Sequence, residues 1–305
     1  MYLVGDVGGT KTRLGVIKNI QVKRNKIFNK IYIFNTPQKY KEFLNLISQS
    51  LKQLKISKIK KVCFGFAGNF DTKKEKLIYS PNLKDYVRRN LKRDLEKILN
   101  NSLKNNSILR KSEFNPRISV VLENDATLAG LGEGYFGAGK NLKSFGYITL
   151  STGIGGVKII QTNVEKNKKI LKIDDNVFGF EPGHSFILIQ SKTYNVLPIE
   201  IEKLIGGKSL EKIFKERPEK IKDKKIWDNL NKILAIFLVN VSIFWSVDKI
   251  ILGGGLVNKI NFTSLSNKII KIHPLRIRVD IIKTKLKEFA GLYGGLFLIK
   301  SSYYK

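Results

Sequence analysis

Two glycine-rich turns, each lying between two short apolar runs, constrain the fold of this chain more than any other feature. A glycine turn between two such runs predicts a β-hairpin, here at 3–18 around residues 8–12 and again at 145–160 around residues 151–155. An apolar strand and amphipathic helices follow each hairpin. This repetition predicts two similar α/β lobes.

Length and composition agree with two lobes. A chain of 305 residues predicts two domains, and 42% hydrophobic residues spread along the chain argue against disorder. We place the N-terminal lobe at 1–122, joined by a C-terminal helix at about 289–305, and the C-terminal lobe at 123–288. Loops from both lobes would converge in a cleft between them, which is the natural position for a ligand.

The strong positive charge has two interpretations. Lys and Arg number 56 against 25 Asp and Glu, so the formal charge of +31 suggests nucleic acid or an anionic membrane as a partner. The lysines are scattered through every segment, however, and aromatic residues are not interleaved with them as in a single-strand binding surface. We therefore favour a solvated basic surface with no specific nucleic-acid partner and no membrane partner.

Cysteine content and hydropathy indicate a cytoplasmic protein. The single Cys63 excludes a disulfide framework and any zinc site that needs two or more cysteines. The N-terminus carries the acidic Asp6 where a signal peptide has its apolar centre. The longest apolar stretch, 233–247, is interrupted by Asn240 and Ser242 and is too short to span a bilayer, so it predicts a buried helix.

The glycine turns also suggest phosphate binding. Glycine lets backbone N–H groups approach a phosphate with no Cβ in the way. Hydroxyl and ammonium groups of Thr10, Lys11, Thr12 and Thr152 would add donors, and Asp6 could hold Mg²⁺ against the phosphates. One such turn is weak evidence. The chain has a third glycine segment at 253–255, and three such segments with an acid before the first are considerably stronger evidence.

Five segments resemble, in order, the motifs of the ROK family (repressors, open reading frames, kinases) of the sugar kinase, hexokinase and actin-like ATPase superfamily. They are similar to the first phosphate motif, the sugar-binding and catalytic motif, the second phosphate motif, the Glu-x-Gly-His signature and the adenosine motif: Asp6-Val7-Gly8-Gly9-Thr10-Lys11-Thr12, Glu123-Asn124-Asp125-Ala126, Thr152-Gly153-Ile154-Gly155-Gly156, Glu181-Pro182-Gly183-His184 and Ile251-Leu252-Gly253-Gly254-Gly255. The resemblance implies an α/β fold of two actin-like (ribonuclease H-like) lobes. It also implies an ATP-dependent hexose kinase, with glucose as the expected substrate.

The resemblance further implies roles for individual residues. ATP and Mg²⁺ would bind at the three glycine segments, with Asp6 as the metal ligand, directly or through water: Asp6, Gly8, Gly9, Thr10, Lys11, Thr12, Thr152, Gly153, Gly155, Gly156, Gly253, Gly254 and Gly255. The sugar would bind to Gly68, Asn124, Asp125, Glu181, His184 and Glu202. Asp125 would be the general base that accepts the proton of the sugar hydroxyl. Spacing alone leaves open that Asp125 caps the following helix and that Asn124 lies in a plain turn.

One departure from the family pattern concerns zinc. Relatives commonly carry a cysteine cluster after the histidine, whereas residues 185–201 contain no cysteine, so no zinc site is expected. Apolar packing would then hold the loop at 185–198 in place of the metal. The proposed anchors are Ile187, Leu188, Ile189, Val196 and Leu197.

Two alternatives to a glucokinase remain. The first is a kinase for another sugar, namely fructose, mannose, N-acetylglucosamine or N-acetylmannosamine. The second is a sugar-responsive transcriptional regulator, which we disfavour because residues 1–5 leave no room for a helix-turn-helix before Asp6. A homodimer is expected from the resemblance alone.

Overall fold

Two compact units divide the chain. The structure is a computed structural model and describes residues 1–18, 27–53, 59–106, 118–164, 168–173, 181–190 and 196–301. The first unit comprises Met1–Leu128 and Gly291–Lys305, and the second comprises Ala129–Ala290. A five-stranded mixed sheet lies in each unit.

The sheet of the first unit has the strand order β3-β2-β1-β4-β7. Strands β1, β2 and β3 pair antiparallel in succession, and β4 runs parallel to both β1 and β7. A short antiparallel pair, β5 and β6, forms a separate sheet. The elements are β1 (Tyr2–Val7), β2 (Lys11–Ile17), β3 (Lys30–Asn35), α1 (Tyr40–Gln53), β4 (Lys61–Phe66), β5 (Asn69–Phe70), β6 (Leu77–Tyr79), α2 (Leu91–Asn106) and β7 (Val120–Asn124). Helix α3 (Asp125–Phe136) begins in this unit and belongs to the second unit from Ala129 onwards.

The sheet of the second unit has the order β10-β9-β8-β13-β14. Strands β8, β9 and β10 pair antiparallel in succession, and β13 runs parallel to both β8 and β14. The elements are β8 (Ser144–Leu150), β9 (Ile154–Val164), β10 (Lys168–Ile173), β11 (Phe186–Gln190), β12 (Val196–Glu200), α4 (Ile201–Ile205), α5 (Gly207–Phe214), α6 (Lys224–Trp245), β13 (Lys249–Gly253), α7 (Phe262–Ile272) and β14 (Asp280–Lys283). Helix α8 (Ala290–Lys300) follows and belongs to the first unit from Gly291 onwards.

The two sheets share one topology. In each, three antiparallel strands are followed by two strands parallel to the first of the three. The glycine turns predicted from the sequence lie at the same place in both sheets, between the first and second strands. The predicted α/β class with a repeated hairpin is therefore confirmed.

Helical spacing of apolar side chains explains the core of the first unit. Helix α1 buries Phe43, Ile47 and Leu51 at four-residue intervals in the core that also contains the β4 side chains. Helix α2 contributes Leu91, Leu95 and Leu99 to that core with the same spacing. Strand β4 is buried from Val62 to Phe66, as expected for a parallel strand covered on both faces.

The longest helix, α6, begins and ends with recognisable signals. Asp223 caps its N-terminus by accepting a hydrogen bond from the Lys225 N–H at 2.8 Å, and Ser246 ends it with a left-handed φ of 50°. It has 22 residues, and its most apolar 18-residue window has a mean hydropathy of 1.3, so by length and composition it could cross a membrane. Of its most apolar window, 56% is buried inside the protein, which agrees with the predicted buried helix.

A buried carboxylate joins two loops of the second unit. Glu133, in α3, is fully buried, and its Oε2 accepts a hydrogen bond from the Ala138 N–H at 2.7 Å. Its Oε1 accepts from the Leu286 N–H at 2.7 Å, from the Lys285 N–H at 3.0 Å and from the Thr284 hydroxyl. A carboxylate can accept all four because it has only acceptor sites. Glu133 therefore fixes the segment after β14 against the end of α3.

Candidate active site

The carboxyl ends of three parallel strands bring together the first group of predicted residues. Strands β1, β4 and β7 lie side by side and run in one direction. Asp6 lies near the end of β1, Gly68 follows β4, and Asp125 follows β7 directly. Because α/β proteins bind ligands at the carboxyl edge of parallel strands, the strand order explains why distant sequence positions form one candidate site.

Asn124 caps helix α3. Its Oδ1 accepts a hydrogen bond from the Thr127 N–H at 3.0 Å, and its Nδ2 donates to the Gly68 carbonyl at 3.1 Å. Gly68 has a φ of +137°, which residues with a Cβ rarely adopt. The capping role that the sequence left open for Asp125 thus belongs to Asn124. The role of Asn124 as a sugar ligand stays a prediction.

Asp125 is the first residue of α3, and its side chain is half-buried. Its Oδ1 accepts a hydrogen bond from the Ala126 N–H at 2.9 Å. Burial, and then the negative charge of Asp6, raise the pKa of Asp125 to about 7. A carboxylate with a pKa near neutrality is a stronger base than an ordinary aspartate, which suits proton transfer from a hydroxyl.

Asp6 lies opposite Arg13 in the β1–β2 hairpin, with Oδ2 3.6 Å from an Arg13 Nη atom. Burial raises the pKa of Asp6 to about 6, and the Arg13 charge opposes that increase. The start of α8 also approaches this carboxyl, because a Cβ added to Gly291 would lie 2.8 Å from the Asp6 Cγ. The candidate site therefore contains two carboxyl groups that are harder to ionise than usual.

Sequence reasoning missed Arg13 and Gly291. Alternation along β2 was a usable signal for Arg13, because it places residue 13 on the same face as Lys11. Among the described residues, the buried Arg13 Nε has no hydrogen-bond partner, which fits a site that takes an anionic ligand. The proximity of Gly291 depends on how α8 packs in the first unit, and no local pattern indicates it.

The raised pKa of Asp125 predicts an effect on stability. Its folded pKa of about 7 exceeds the ordinary 3.8, so the folded state binds more protons between pH 4 and 7 and loses stability as the pH rises through that range. The metal-free Asp125→Asn variant should be more stable than the wild type by about 1–4 kcal/mol at pH 8. The difference should disappear near pH 4. Urea unfolding in EDTA at both pH values measures it, and equal stabilities at pH 8 would contradict the pKa increase.

The first predicted phosphate turn is a tight connection between β1 and β2. The Gly8 N–H donates to the Lys11 carbonyl at 3.0 Å. Gly9 lies against Asn82, since a Cβ added to Gly9 would come within 2.6 Å of the Asn82 Cβ. Thr10 and Lys11 are exposed at this turn. The turn thus leaves two of the predicted donor side chains exposed, and the Lys11 Nζ donates to the Asn35 Oδ1 at 2.6 Å.

Thr12 does not fit its predicted role as a phosphate ligand. Its side chain is fully buried, and its hydroxyl lies 3.0 Å from the Thr36 hydroxyl. Thr36 in turn donates to the Gly8 carbonyl at 2.7 Å, so the two threonines fasten the turn to the end of β3. The prediction is wrong because strand alternation turns residue 12 into the core, away from the face of Lys11.

The carboxyl ends of β8 and β13 bring together the second group. These strands are adjacent and parallel, so the turn at 151–153 and the glycines after β13 lie at one edge of the sheet. Gly254 has a φ of +92° and lies against the Leu150 carbonyl, which leaves no room for a Cβ. Gly253 ends β13, and Gly255 has open space beside it. Thr152 and Gly153 lie in the turn as predicted.

Gly155 and Gly156 lie within strand β9 and not in the turn. Gly155 pairs with Thr149, and Gly156 is buried. A Cβ added to Gly156 would lie 2.9 Å from the Pro182 Cγ. The predicted phosphate contact of Gly156 is therefore corrected: this glycine makes room for the neighbouring segment that carries Glu181 and His184.

Glu202 supports the second phosphate turn. It lies in α4, and its Oε2 accepts a hydrogen bond from the Ile154 N–H at 2.7 Å. A Cβ added to Gly153 would collide with the same carboxylate. The structure thus places this predicted sugar ligand beneath the turn expected to hold nucleotide phosphates.

The hydrogen bond between the Ile154 N–H and Glu202 predicts that a substitution of Glu202 changes the KM for ATP more than the KM for the sugar. Glu202→Ala removes the charged acceptor of the Ile154 N–H, and one such bond is worth about 1.5–3 kcal/mol. We expect the KM for ATP to rise roughly tenfold and the KM for the sugar to change less than about twofold. Steady-state kinetics of this variant, with the exposed Glu211→Ala as control, measure both. A higher KM for the sugar alone would restore the original role of Glu202 as a sugar ligand.

Glu181 and His184 lie at the two ends of a short 3₁₀ turn, Pro182–His184. Both side chains are half-buried, whereas Pro182 and Gly183 are buried against β9. The His184 Nδ1 lies 4.0 Å from a carboxylate oxygen of Glu200. The structure thus brings this turn next to the second phosphate turn, and sugar binding by Glu181 and His184 stays a prediction.

The segment proposed to replace the zinc cluster is a β-hairpin formed by β11 and β12. Leu188 is 67% exposed and Leu197 is 56% exposed, so they do not anchor it as predicted. Ile187 packs partly against the core of the second unit, and the Ile201 N–H donates to the Ser185 carbonyl at 2.9 Å. Strand pairing and the packing of Ile187 hold the described part of this segment. The side chains of Ile189 and Val196 lie outside the described part.

Metal binding by the candidate site can be judged from its carboxylates. Among the described residues, no group of three or more His, Cys, Asp and Glu side chains is placed to hold a metal ion. Mg²⁺ needs fewer protein ligands, because it commonly binds through one or two carboxylates together with substrate phosphates. Asp6, at the edge of the first sheet, is the carboxylate predicted for this role, and its binding of Mg²⁺ stays a prediction. The absence of zinc stays a prediction.

Comparison with known proteins gives consistent matches. The sequence model of the ROK family matches residues 2–167 and 201–302 of this chain. An uncharacterized protein of Clostridium perfringens is 26% identical over all of this chain and 99% of its own length. A fructokinase of Pediococcus pentosaceus is 25% identical over 63% of this chain and 67% of its own length.

A solved structure shows the fold. A ROK family glucokinase from Streptomyces griseus, in complex with glucose and AMPPNP, matches with a TM-score of 0.69 at 22% identity. The match covers 97% of this chain and 98% of the glucokinase, and it confirms the two-lobe actin-like fold. The family match covers both phosphate turns and Asp125 but leaves out 168–200, which contains Glu181 and His184.

Proposed function

Because this chain belongs to the ROK family, we propose that it is an ATP-dependent kinase that transfers a phosphoryl group to a hexose hydroxyl. The observation that carries the proposal is the position of Asp125. It lies at the carboxyl edge of the first sheet, next to the Gly68 loop, with its pKa raised to about 7. Glucose is the expected substrate.

Asp125 acts as the general base in this proposal. Phosphoryl transfer needs little covalent chemistry from the protein, which positions the reactants, neutralises charge and accepts the hydroxyl proton. Asn124 caps α3 and so fixes the backbone that presents Asp125. The Asp125 carboxylate takes the proton at an oxygen atom, and its raised pKa favours that transfer.

ATP with Mg²⁺ is the proposed phosphate donor. The solved relative was crystallised with AMPPNP, and in this chain two glycine segments share one edge of the second sheet. Asp6 fits as a ligand of an Mg²⁺ ion, which would neutralise phosphate charge. Arg13 would contribute a fixed positive charge beside Asp6.

The identity of the sugar rests on weaker grounds. The relatives include a fructokinase and a glucokinase, both at low identity. An acid and an imidazole next to adjacent hydroxyls would distinguish sugars, and Glu181 and His184 are the proposed pair. We keep kinases for fructose, mannose and N-acetylhexosamines as the alternatives. A cytoplasmic enzyme, without a nucleic-acid or membrane partner and assembled as a homodimer, completes the proposal.

A coupled assay of ADP release across these sugars tests the proposal. With Mg-ATP, one hexose should accelerate ADP release well above the rate without sugar, and glucose is expected to do so most strongly. A rate equal to background with every hexose would overturn the kinase assignment. A preference for fructose would keep the kinase and change its substrate.

A further inference from the structure

A cavity in the first unit lies apart from the residues of the candidate active site. It has a volume of about 330 Å³ and shares no residue with the predicted nucleotide or sugar ligands. Its lining residues come from the start of α1, the segments on either side of β6 and the start of α2: Tyr40, Lys76, Arg88, Arg89, Asn90, Arg93 and Asp94.

The lining is strongly basic. Four cationic side chains face one acidic side chain, Asp94. The chain contains 46 lysines but only 10 arginines, and three of those arginines, Arg88, Arg89 and Arg93, line this one cavity. A surface covered at random by basic residues would be lined by lysine. Arginine is the residue that binds phosphate oxygens through two parallel N–H bonds.

The single acid of the cavity is already occupied. The Tyr40 hydroxyl donates to Asp94 Oδ2 at 3.0 Å, and Arg93 Nε donates to Asp94 Oδ1 at 3.1 Å. Both oxygens of the acid are therefore bonded within the protein. Asp94 therefore orients the Arg93 side chain, and the positive charge of Arg93 neutralises the negative charge of Asp94.

Two of the cations have no side-chain partner among the residues that the structure describes. Within the described part of the chain, the side chains of Lys76 and Arg88 form no hydrogen bond or ion pair. Arg89 lies 3.6 Å from Asp85 and over the Tyr40 ring. The cavity therefore keeps two uncompensated charges from Lys76 and Arg88, with Arg89 only loosely paired at an exposed site.

The backbone presents these side chains in a defined geometry. Arg88 has a left-handed φ of 63°, which is uncommon for a residue with a Cβ, and its N–H donates to the Leu77 carbonyl at 2.8 Å. Lys76 forms a β-bridge with Asn90. Asn90 caps α2 by accepting a hydrogen bond from the Arg93 N–H at 2.9 Å. These bonds fix the backbone of the cavity wall, and the side chains of the four cations on it are exposed.

We propose that this cavity is a second anion site, which binds a small phosphate-bearing molecule. Three arginines and a lysine match the oxygens of one or two phosphoryl groups. The volume suits a ligand of the size of a sugar phosphate or pyrophosphate rather than a polymer. The proposal does not depend on the proposed kinase activity, because it uses none of the catalytic residues.

Titration calorimetry of the full chain at 150 mM salt tests the proposal with three probes: inorganic phosphate, pyrophosphate and glucose 6-phosphate. The test variant is Arg88→Gln with Arg93→Gln. The control is Arg217→Gln with Arg276→Gln, which removes the same charge from exposed positions outside the cavity. We expect the test variant to weaken binding of the tightest probe at least tenfold and the control to weaken it less than twofold.

The outcomes distinguish binding at this cavity from attraction to the overall charge of the protein and from binding of a polymer. Equal weakening in both double variants would show attraction to the overall charge and would overturn the proposal, as would no binding of any probe to the wild type. Tighter binding of a single-stranded RNA than of every probe, lost in the test variant, would reassign the cavity to a polymer and overturn it as well. If the test variant does not fold, Lys76→Met should still weaken binding severalfold, and an unchanged affinity would overturn the proposal.

Discussion

Asp125→Asn should lower kcat by about 10²–10⁴-fold and leave the dissociation constant of the sugar almost unchanged. The amide has the same shape as the carboxylate and can still accept the Ala126 N–H bond, but it is a far weaker base. The loss should therefore fall on turnover and not on binding. Initial rates with Mg-ATP and calorimetry with the sugar alone measure the two effects separately.

The matched control is Asp228→Asn, at an exposed position on α6. It makes the same chemical change outside the candidate site and should leave both kcat and sugar affinity within about twofold of the wild type. If Asp125→Asn kept most of its turnover, Asp125 would not be the base. Since Asn124 already caps α3, that result would leave sugar binding as the only proposed role of Asp125.

Glu133→Gln should destabilise the second unit by about 2–4 kcal/mol. The substitution replaces one acceptor oxygen by an NH₂ group, which would face backbone N–H donors. A buried donor left unpaired costs about 1–3 kcal/mol, and the lost bonds to the charged group add to this. Urea unfolding, followed by the fluorescence of Trp227 and Trp245 in α6, reports on the unit that contains Glu133.

The exposed Glu216→Gln on the same unit serves as control and should change the free energy of unfolding by less than about 0.5 kcal/mol. A Glu133→Gln variant as stable as this control would mean that its four hydrogen bonds contribute nothing net. Lower activity without lower stability would also contradict a structural role for Glu133.

The repeated hairpins show what the sequence could predict. Glycine turns between short apolar runs depend on local chemistry, so both turns were found at the correct place in their sheets. The parallel strands that follow were visible as apolar runs. Asp6, Gly68 and Asp125 were assigned to the site through the family resemblance. The strand order of the structure explains why they lie together, because the carboxyl ends of adjacent parallel strands meet.

The corrected residues show which contacts local sequence patterns cannot predict. Thr12 and Gly156 lie in the predicted phosphate motifs. The register of the sheet nevertheless turns the Thr12 side chain into the core and places Gly156 within the pairing of β8 and β9. Glu202 lies 48 positions from Ile154 in sequence, so its hydrogen bond depends on how α4 packs against β9. Glu133 bonds to residues about 150 positions later, and no spacing rule reports such a contact.

The prediction of apolar anchors in the β11–β12 hairpin was wrong for another reason. The apolar residues at 187–189 and 196–197 were interpreted as anchors because apolar side chains usually become buried. In a two-stranded hairpin, side chains alternate between faces, and only one face can pack against the rest of the unit. Leu188 is therefore exposed while its neighbour Ile187 packs against the core.

Mass spectrometry of the reaction with Mg-ATP and glucose can show directly whether this chain phosphorylates a hexose with Asp125 as the base, because it observes the product itself. We predict a hexose monophosphate formed in equal amount with ADP by the wild type, and at most about one hundredth of that rate by Asp125→Asn. Formation of ADP without any phosphorylated sugar, with every candidate hexose, would overturn the kinase assignment. Equal amounts of product from the wild type and from Asp125→Asn would show that Asp125 is not the base.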